Sequence, residues 1–312
     1  MSKEFQQIEW DERLEEDCRQ IVRLAIREDL SRTFDWTTLA LVPSGVSAEA
    51  AIVARQPGTV AGMRAIELAL SEMDVTVRLG EAAADGSRAS AGQILGVLFG
   101  SARSLLTAER ILLNLLGRLS GIATLTRAYV DAVSGTHARI YDTRKTTPGW
   151  RRLEKYAVRC GGGHNHRLGL YDAILIKDNH LAFDASHTGT AAPSTAEAVR
   201  RAREFVRSMA DSGSPGDMIV EVEVDTIEQL DQVLPAGPDI VLLDNMTHDE
   251  LRRAVARRDA QARQVELEAS GGVNLDTVSA IAATGVDRIS VGALTHSAAA
   301  LDVALDWRPA RR

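Results

Sequence analysis

Six short apolar segments recur in the second half of the chain, and helical stretches separate them. They are ARIYD (138–142), AILIK (173–177), IVEVEV (219–224), IVLLD (240–244), VELEA (265–269) and RISVG (288–292). Strands that alternate with helices require right-handed crossovers and a parallel sheet. Six such units in about 160 residues predict a closed or nearly closed α/β barrel, with an open doubly wound sheet as the alternative.

The first half mixes strands and helices differently. Apolar residues at helical spacing predict a helix over 11–28, and AEAAIVARQPGTVAG predicts a strand, a Pro-Gly turn and a returning strand. The segment SLLTAERILLNLLGRLS predicts a helix that breaks at Ser120-Gly121 and resumes to about Val133. The remaining predicted elements are a helix near 62–73 and strands near 75–79 and 94–100.

Charge and composition limit the function classes. A net charge of −7 argues against a general nucleic-acid binder, which needs a basic face. No run approaches the ~18 apolar residues of a membrane span, and the first twenty residues lack an apolar targeting segment. The two cysteines, Cys18 and Cys160, form no disulfide framework and no metal-ligand spacing. We therefore expect a soluble protein of the reducing cytoplasm that binds neither membrane nor nucleic acid.

A basic segment interrupts this acidic chain. Residues 142–180 contain eight Lys or Arg against four Asp or Glu. The segment includes CGGGHNHR (160–167), in which three glycines that are costly to order precede two histidines and an arginine. A basic island in an acidic protein favours a site for a small, multiply charged anion. For residues 151–159, a solvated basic helix is an equal alternative.

Charged residues or glycines end nearly every predicted strand of the second half. The carboxyl ends of barrel strands form the active-site face, so we expect them to line a cavity. Arg144 and Lys177 lie at or just past strand ends and, with Arg167, are candidate ligands for an anion. The strand-end residues are Asp142, Lys177, Glu223, Asp244, Glu268 and Gly292.

Carboxylates cluster on two of these strands. In VEVEVD the period of two puts Glu221 and Glu223 on one face, and Asp244 ends the next strand. Clustered carboxylates repel one another, and a divalent cation or a cationic side chain relieves the repulsion. Oxygen ligands near phosphate favour Mg²⁺. An internal ion pair with Lys145 or Lys177, without metal, is the alternative.

Two glycine-containing turns follow late strands, SGG at 270–272 and VGALTHS at 291–297. In barrels the loops after the last strands often hold phosphate through backbone N–H groups, so these turns are candidate phosphate sites. His166, beside Arg167, adds a candidate hydrogen-bond donor. His164 is interpreted as a capping or core histidine.

Taken in order, these segments resemble the quinolinate phosphoribosyltransferase family, a type II phosphoribosyltransferase family. The resemblance runs from about residue 20 to 307 and rests on TAERILLNLLGRLSG, DTRKTTPGWRRLEKYAVRCGGGHNHRLGLYDAILIKDNH, EVEVDT, VLLDNM, EASGGVN and ISVGALTHS. It implies conversion of quinolinate and phosphoribosyl pyrophosphate to nicotinate mononucleotide, pyrophosphate and CO₂ in de novo NAD biosynthesis.

The resemblance also implies an architecture. An N-terminal α/β sandwich (1–130), joined by the C-terminal tail (about 295–312), accompanies an incomplete, about seven-stranded α/β barrel (131–294). The implied assembly is a homodimer with shared active sites, and whether dimers associate further is left open.

Individual residues acquire roles from the resemblance. Quinolinate ligands would be Thr143, Arg144, His166, Arg167 and Lys177, with Arg110 contributed across the dimer interface. The catalytic group around phosphoribosyl pyrophosphate and its Mg²⁺ would be Lys145, Glu223 and Asp244, with the two carboxylates holding the metal directly or through water. The phosphate cradle would be Ser270, Gly271, Gly272 and Gly292, together with Lys145.

Two stretches depart from the family pattern, and three other function classes stay open. EDLSRTFDWTTLAL inserts residues 31–34 and Trp36 where the family has a Gly-Asp pair, and 182–199 is long and predicts a surface loop. The competing functions are a Schiff-base aldolase using Lys177, a relative associated with molybdenum transport, and a substrate-binding regulator without turnover. The EKYAVRCGGGHNHR stretch and the Lys145, Glu223 and Asp244 set favour the transferase.

Overall fold

The computed structural model describes residues 3–73, 76–188, 194–211 and 218–308. The chain divides into two compact units. The first unit comprises Met1–Gln7, Tyr129–Arg144 and His164–Gly292, and the second comprises Ile8–Ala128, Lys145–Gly163 and Ala293–Arg312. In this division, residues 3–7 group with the second half of the chain, and residues 145–163 group with the first half.

The elements alternate along the chain as follows. The helices are α1 (Glu12–Leu30), α2 (Trp36–Leu41), α3 (Met63–Glu72), α4 (Ala102–Ala132), α5 (Arg151–Cys160), α6 (Asp178–Thr188), α7 (Thr195–Asp211), α8 (Ile227–Val233), α9 (His248–Gln261), α10 (Val278–Ala282) and α11 (Ala293–His296). The strands are β1 (Ser47–Ala54), β2 (Gly58–Thr59), β3 (Val77–Ala82), β4 (Arg88–Ala89), β5 (Ile94–Ser101), β6 (Arg139–Tyr141), β7 (Ala173–Ile176), β8 (Ile219–Val224), β9 (Ile240–Asp244), β10 (Glu266–Ser270), β11 (Arg288–Ser290) and β12 (Val303–Arg308). Within the described ranges, no helix combines the length and the apolar content that crossing a membrane requires.

Six parallel strands form the sheet of the first unit, in the order β6-β11-β10-β9-β8-β7. They are the six strands that the alternating apolar segments predict. One further parallel bridge joins His164 to Tyr141 beside β6, at the edge where a seventh strand would lie. The α/β class is therefore confirmed, with six strands and an isolated bridge in the part of the chain that the structure describes.

Helices follow these strands after short connections. α7 packs against β7 and β8. α8 and α9 each begin with a capping box, formed by Thr226 with Gln229 and by Thr247 with Glu250, which satisfies backbone N–H groups at the helix start. These caps end the connections within three residues of β8 and β9, so the polar residues at both strand ends are held close to the sheet.

The second unit is built on an antiparallel sheet with the order β12-β1-β5-β3, beside a two-stranded ladder of β2 and β4. β12, near the end of the chain, pairs with β1 so that Trp307 lies opposite Ala50 and Val303 opposite Ala54. Residues 50–54 of β1 are all buried. The N-terminal and C-terminal parts of the chain therefore share one sheet.

Helix α4 runs without interruption, so the predicted break at Ser120-Gly121 is wrong. A Cβ atom on Gly121 would lie 2.0 Å from the carbonyl oxygen of Ala299. The Ser120 hydroxyl is buried and bonds both the N–H and the carbonyl of Ala61, at 3.0 and 3.1 Å. The small side chains of Ser120 and Gly121 therefore allow other backbone segments to approach α4 closely. They do not form a turn.

The surface loop predicted at 182–199 is also largely wrong. Residues 182–188 belong to α6 and 195–199 to α7, while 189–193 lie outside the described residues. The Ser194 hydroxyl accepts from the Glu197 N–H at 3.2 Å and starts α7. Ala196 and Val199 are buried at helical spacing, a signal that the surrounding Ser, Thr and Gly residues obscured.

The unusual stretch at 31–36 connects α1 to α2. Ser31 adopts a positive φ of 52°, and Asp35 caps α2 by accepting from the Thr38 N–H at 3.0 Å. Phe34 and Trp36 are exposed and pack edge to face at 5.9 Å between ring centroids. The insertion is therefore a turn followed by a capped short helix.

Candidate active site

The carboxyl ends of the parallel strands bring several predicted residues to one edge of the first unit's sheet, because parallel strands all end on the same side. Asp244 lies opposite Ser270, and Glu223 lies opposite Leu242 in the ladder. The Lys177 ammonium group contacts the Glu223 carboxylate. A cationic and an anionic group therefore meet on neighbouring strands, close to a third polar strand end.

The two carboxylates at this edge have different partners. Glu223 is paired with Lys177, so the structure contains the ion pair that the sequence left as the alternative to a metal. Asp244 is half-buried and accepts from the Asn245 side-chain amide at 2.7 Å. Both are hard oxygen donors on a partly solvated strand end, which is the donor set that Mg²⁺ binds together with water. The residues present therefore fit a Mg²⁺ ion.

Arg144 and Arg167 form a cationic pair. Arg167 is buried, and its guanidinium donates to the carbonyl of Ala173 at 3.3 Å. Burial lowers the pKa of Arg167, and the nearby charge of Arg144 lowers this pKa further. The buried Nε of Arg144 has no hydrogen-bond partner among the described residues. Two guanidinium groups held close to each other favour a ligand that carries two negative charges.

Asp142 fixes the segment that carries His166 and Arg167. Its buried carboxylate accepts from the His166 backbone N–H at 2.9 Å and from the Asn165 side chain at 2.7 Å. The Asp142 N–H donates to the carbonyl of His164 at 3.0 Å. The segment therefore lies beside β6 through a single parallel bridge at His164, with His166 and Arg167 just past that bridge.

Both ring nitrogens of His166 contact protein groups. Nδ1 accepts from the Arg167 backbone N–H at 2.8 Å, so the ring proton lies on Nε2. Nε2 lies 3.1 Å from Glu221 Oε2 and 3.5 Å from Glu268 Oε1. Burial raises the pKa of Glu268 to about 7, while His166 lowers this pKa and Glu221 raises it. The sequence did not predict this buried cluster, although Glu221 and Glu268 both stood out on their strands.

The three glycines of CGGGHNHR lie in the second unit and pack against α4. A Cβ atom on Gly161 would lie 2.6 Å from the carbonyl oxygen of Ala123, and one on Gly163 would lie 2.7 Å from a methyl group of Thr126. The glycines therefore permit close packing of this segment against α4.

Two loops meet next to Asp244. The Asn245 N–H donates to the carbonyl of Ser270 at 2.9 Å, and Gly271 follows with a φ of +90°. A Cβ atom on Gly271 would lie 2.1 Å from Asn245 Oδ1, so only glycine fits there. Gly272 is exposed on the same turn. Backbone amides of this turn are the predicted phosphate donors, and Gly292 lies two residues after the neighbouring strand β11.

Two predicted site residues belong to the second unit. Arg110 is exposed on α4, and Lys145 is exposed, with its carbonyl accepting from the Thr295 hydroxyl at 2.8 Å. Thr143 is half-buried in the first unit, directly before Arg144.

Comparisons with known proteins agree along almost the whole chain. A family model described as the quinolinate phosphoribosyl transferase C-terminal domain matches residues 122–306, and the N-terminal domain model matches residues 35–120. The chain is 47% identical over 291 residues to the nicotinate-nucleotide pyrophosphorylase of Mycobacterium leprae, covering 93% of this chain and 96% of the relative. It is 43% identical over 260 residues to the probable enzyme of Bacillus subtilis, covering 83% of each.

A solved structure has the same fold. The nicotinate-nucleotide pyrophosphorylase of Francisella tularensis superposes with a TM-score of 0.84 at 33% identity, covering 99% of this chain and 100% of the other. The two domain models match residues 35–120 and 122–306. Together with the similarity to these relatives over most of their length, this match decides the family. The chain belongs to the quinolinate phosphoribosyltransferase family.

Proposed function

We propose that this protein transfers the phosphoribosyl group of phosphoribosyl pyrophosphate to quinolinate and releases pyrophosphate and CO₂, giving nicotinate mononucleotide for NAD biosynthesis. The observation that carries the proposal is the Arg144–Arg167 pair in the unit whose sheet edge holds Lys177 and Glu223. Quinolinate has two adjacent carboxylates, and this pair offers two guanidinium groups whose mutual repulsion a dianion relieves.

The residues divide between the two substrates. The quinolinate carboxylates bind Arg144, Arg167 and Lys177 with support from Thr143. His166 positions Arg167 through the protein, because Arg167 and Glu221 already occupy its two ring nitrogens. The phosphate groups of the other substrate bind backbone amides and the Lys145 ammonium group. The proposed phosphate donors are Ser270, Gly271, Gly272 and Gly292.

Glu223 and Asp244 are the groups that would hold Mg²⁺, directly or through water. When bound, Mg²⁺ offsets the negative charge of the departing pyrophosphate. Glu223 and Asp244 also place negative charge near the ribose, where positive charge develops as the bond from the anomeric carbon to the pyrophosphate oxygen breaks. The Lys177 ammonium group then contacts both Glu223 and the substrate carboxylate. It therefore orients the quinolinate carboxylate relative to Glu223.

The chemistry itself requires no protein nucleophile. The pyridine nitrogen attacks the anomeric carbon as pyrophosphate leaves with the bonding electrons. The resulting pyridinium accepts the electron pair of the bond between ring C2 and its carboxylate, CO₂ departs, and a proton from solvent replaces it at C2. The protein mainly brings two mutually repelling anions into register, which is catalysis by positioning.

We also propose a cytoplasmic homodimer with shared active sites, which leaves further association open. Arg110 is exposed on α4, and in this proposal it binds quinolinate in the active site of the other subunit. Mixing Arg110→Ala and Lys177→Ala subunits tests this. Random exchange between two inactive homodimers would restore about a quarter of the wild-type activity, because half of the dimers are mixed and each has one intact site. No recovery after proven subunit exchange would contradict sharing.

The activity is tested by incubating the purified protein with quinolinate, phosphoribosyl pyrophosphate and Mg²⁺ and measuring nicotinate mononucleotide and CO₂. Nicotinate and nicotinamide, which lack the second carboxylate, serve as control substrates and should react poorly. Borohydride trapping with carbonyl substrates addresses the aldolase alternative, because only a Schiff base on Lys177 would be trapped. Binding of quinolinate without product would favour the regulator.

A further inference from the structure

Residues 3–7 lie against the sheet of the first unit, far in sequence from everything they contact. Glu4 accepts from the Tyr141 hydroxyl at 2.8 Å and from the Arg139 guanidinium at 2.8 Å. The Arg288 side chain, fully buried on β11, donates to the carbonyl of Lys3 at 3.0 Å and lies 3.3 Å from Glu4. These contacts anchor the segment on β6 and β11.

Gln7 pairs with the backbone of Asn165 through both ends of its amide. Its side-chain oxygen accepts from the Asn165 N–H at 2.8 Å, and its side-chain nitrogen donates to the Asn165 carbonyl at 3.0 Å. The same nitrogen donates to the Phe5 carbonyl at 2.9 Å. The Gln7 side chain therefore makes the two backbone hydrogen bonds that a neighbouring strand would make at Asn165. Asn165 directly precedes His166.

Phe5 determines the plane of the His166 ring. The Phe5 side chain is buried, and its ring stacks on the imidazole with centroids 4.3 Å apart and an angle of 29° between the planes. The Arg288 guanidinium lies 5.4 Å from the centroid of the Phe5 ring. The imidazole is thus held by Phe5 at its face, by Glu221 at Nε2 and by the Arg167 N–H at Nδ1.

We propose that Phe5 and Gln7 are positioning residues for substrate binding, which hold the His166–Arg167 dipeptide so that the Arg167 guanidinium faces the quinolinate carboxylate. The inference rests on the proposed function for the identity of the ligand. The contacts themselves are independent of that function. A side chain that only stabilised the fold would affect both substrates alike, whereas these two act on the quinolinate side of the site.

The test compares Gln7→Ala with Gln6→Ala. Gln6 is the exposed neighbour, and both substitutions remove the same side-chain atoms. Steady-state kinetics on the full chain should give a KM for quinolinate raised about 5- to 20-fold in Gln7→Ala, as expected when the two hydrogen bonds that align a charged ligand are lost. The KM for phosphoribosyl pyrophosphate should change less than about twofold. Gln6→Ala should match the wild type in both.

Phe5→Leu provides the second variant, because leucine keeps apolar volume but has no ring to stack. It should raise the KM for quinolinate in the same direction. Hydrogen exchange gives a readout besides activity: the peptide containing residues 164–168 should exchange faster in Gln7→Ala than in Gln6→Ala, while peptides from β9 and β10 should not change.

The outcomes separate the inference from the function. Absence of turnover in the wild type and in Gln6→Ala would overturn the proposed function and with it the role in quinolinate binding, while exchange would still report whether Gln7 holds the segment. Normal turnover with an unchanged KM for quinolinate in Gln7→Ala, or equal rises in both KM values, would overturn the inference. Unchanged exchange at 164–168 would overturn it as well.

Discussion

Replacing Arg144 by glutamine should separate substrate binding from stability. The substitution removes one guanidinium from the cationic pair with Arg167. One charge-assisted contact to a carboxylate contributes about 1.5–3 kcal/mol, so kcat/KM for quinolinate should fall about 10- to 150-fold. In most sites such a change also lowers stability, because a buried partner is left unsatisfied.

Here the ligand-free protein should not be destabilised by more than about 0.5 kcal/mol. The buried Nε of Arg144 has no hydrogen-bond partner among the described residues, so the substitution breaks no bond at that atom. The charge of Arg144 also lowers the pKa of Arg167, which means that it disfavours the charged form that Arg167 keeps at neutral pH. Removing Arg144 relieves that repulsion.

The assay pairs steady-state kinetics with urea unfolding. Arg252→Gln is the matched control, since Arg252 is exposed on α9 and pairs with Asp249 one turn away at 2.6 Å. Its kcat/KM should stay within about twofold of the wild type, because exposed pairs contribute little. Wild-type kinetics in Arg144→Gln, or an equal loss in the control, would refute the assignment of Arg144 to the quinolinate site.

Three further predictions concern the metal, the buried acid and the glycines. Glu223→Gln should raise the Mg²⁺ concentration needed for half-maximal activity by about tenfold or more, because the charge that would hold the metal is lost; an unchanged Mg²⁺ dependence would exclude that role. The raised pKa of Glu268, about 7, means that the folded state binds a proton more tightly than the unfolded state, so wild-type unfolding free energy should decrease as pH rises from about 5 to 8. Glu268→Gln should flatten that decrease in urea titrations, and equal slopes would contradict the burial argument. Gly161→Ala should destabilise the protein by about 1–3 kcal/mol, because its Cβ would meet the carbonyl of Ala123 at 2.6 Å; unchanged unfolding in urea would contradict the close packing.

The strands of the first unit could be predicted because their signal is local. Each is a short apolar run between helical stretches, and the polar residues at their ends follow from the common direction of parallel strands. The sequence also predicts the ion pair of Lys177 with Glu223 as an alternative to a metal, since both residues lie at strand ends. The sequence alone cannot distinguish an ion pair with Lys177 from a bound metal ion, because either one compensates the negative charge of Glu223.

The errors have a common physical origin. The sequence around Gly121 predicts a helix break, but this glycine accommodates the backbone of Ala299, which is distant in sequence. The composition of 182–199 predicts a surface loop, although residues 182–188 and 195–199 are helical. In each case a local preference was outweighed by a tertiary contact or by helix caps that composition does not reveal.

The contacts that support His166 cannot be predicted from the sequence for the same reason. Its partners Glu221 and Phe5 come from opposite directions along the chain, and no spacing rule links an N-terminal phenylalanine to a histidine about 160 positions later. Sequence identified His166 as a polar group beside Arg167. The structure adds that both of its ring nitrogens are occupied by the protein.

The most direct test of the central claim is a crystal structure with quinolinate bound. We expect its two carboxylates within hydrogen-bond distance of the guanidinium groups of Arg144 and Arg167, with Lys177 drawn toward the ligand. Quinolinate bound elsewhere, or guanidinium groups that point away from a bound ligand, would contradict the account.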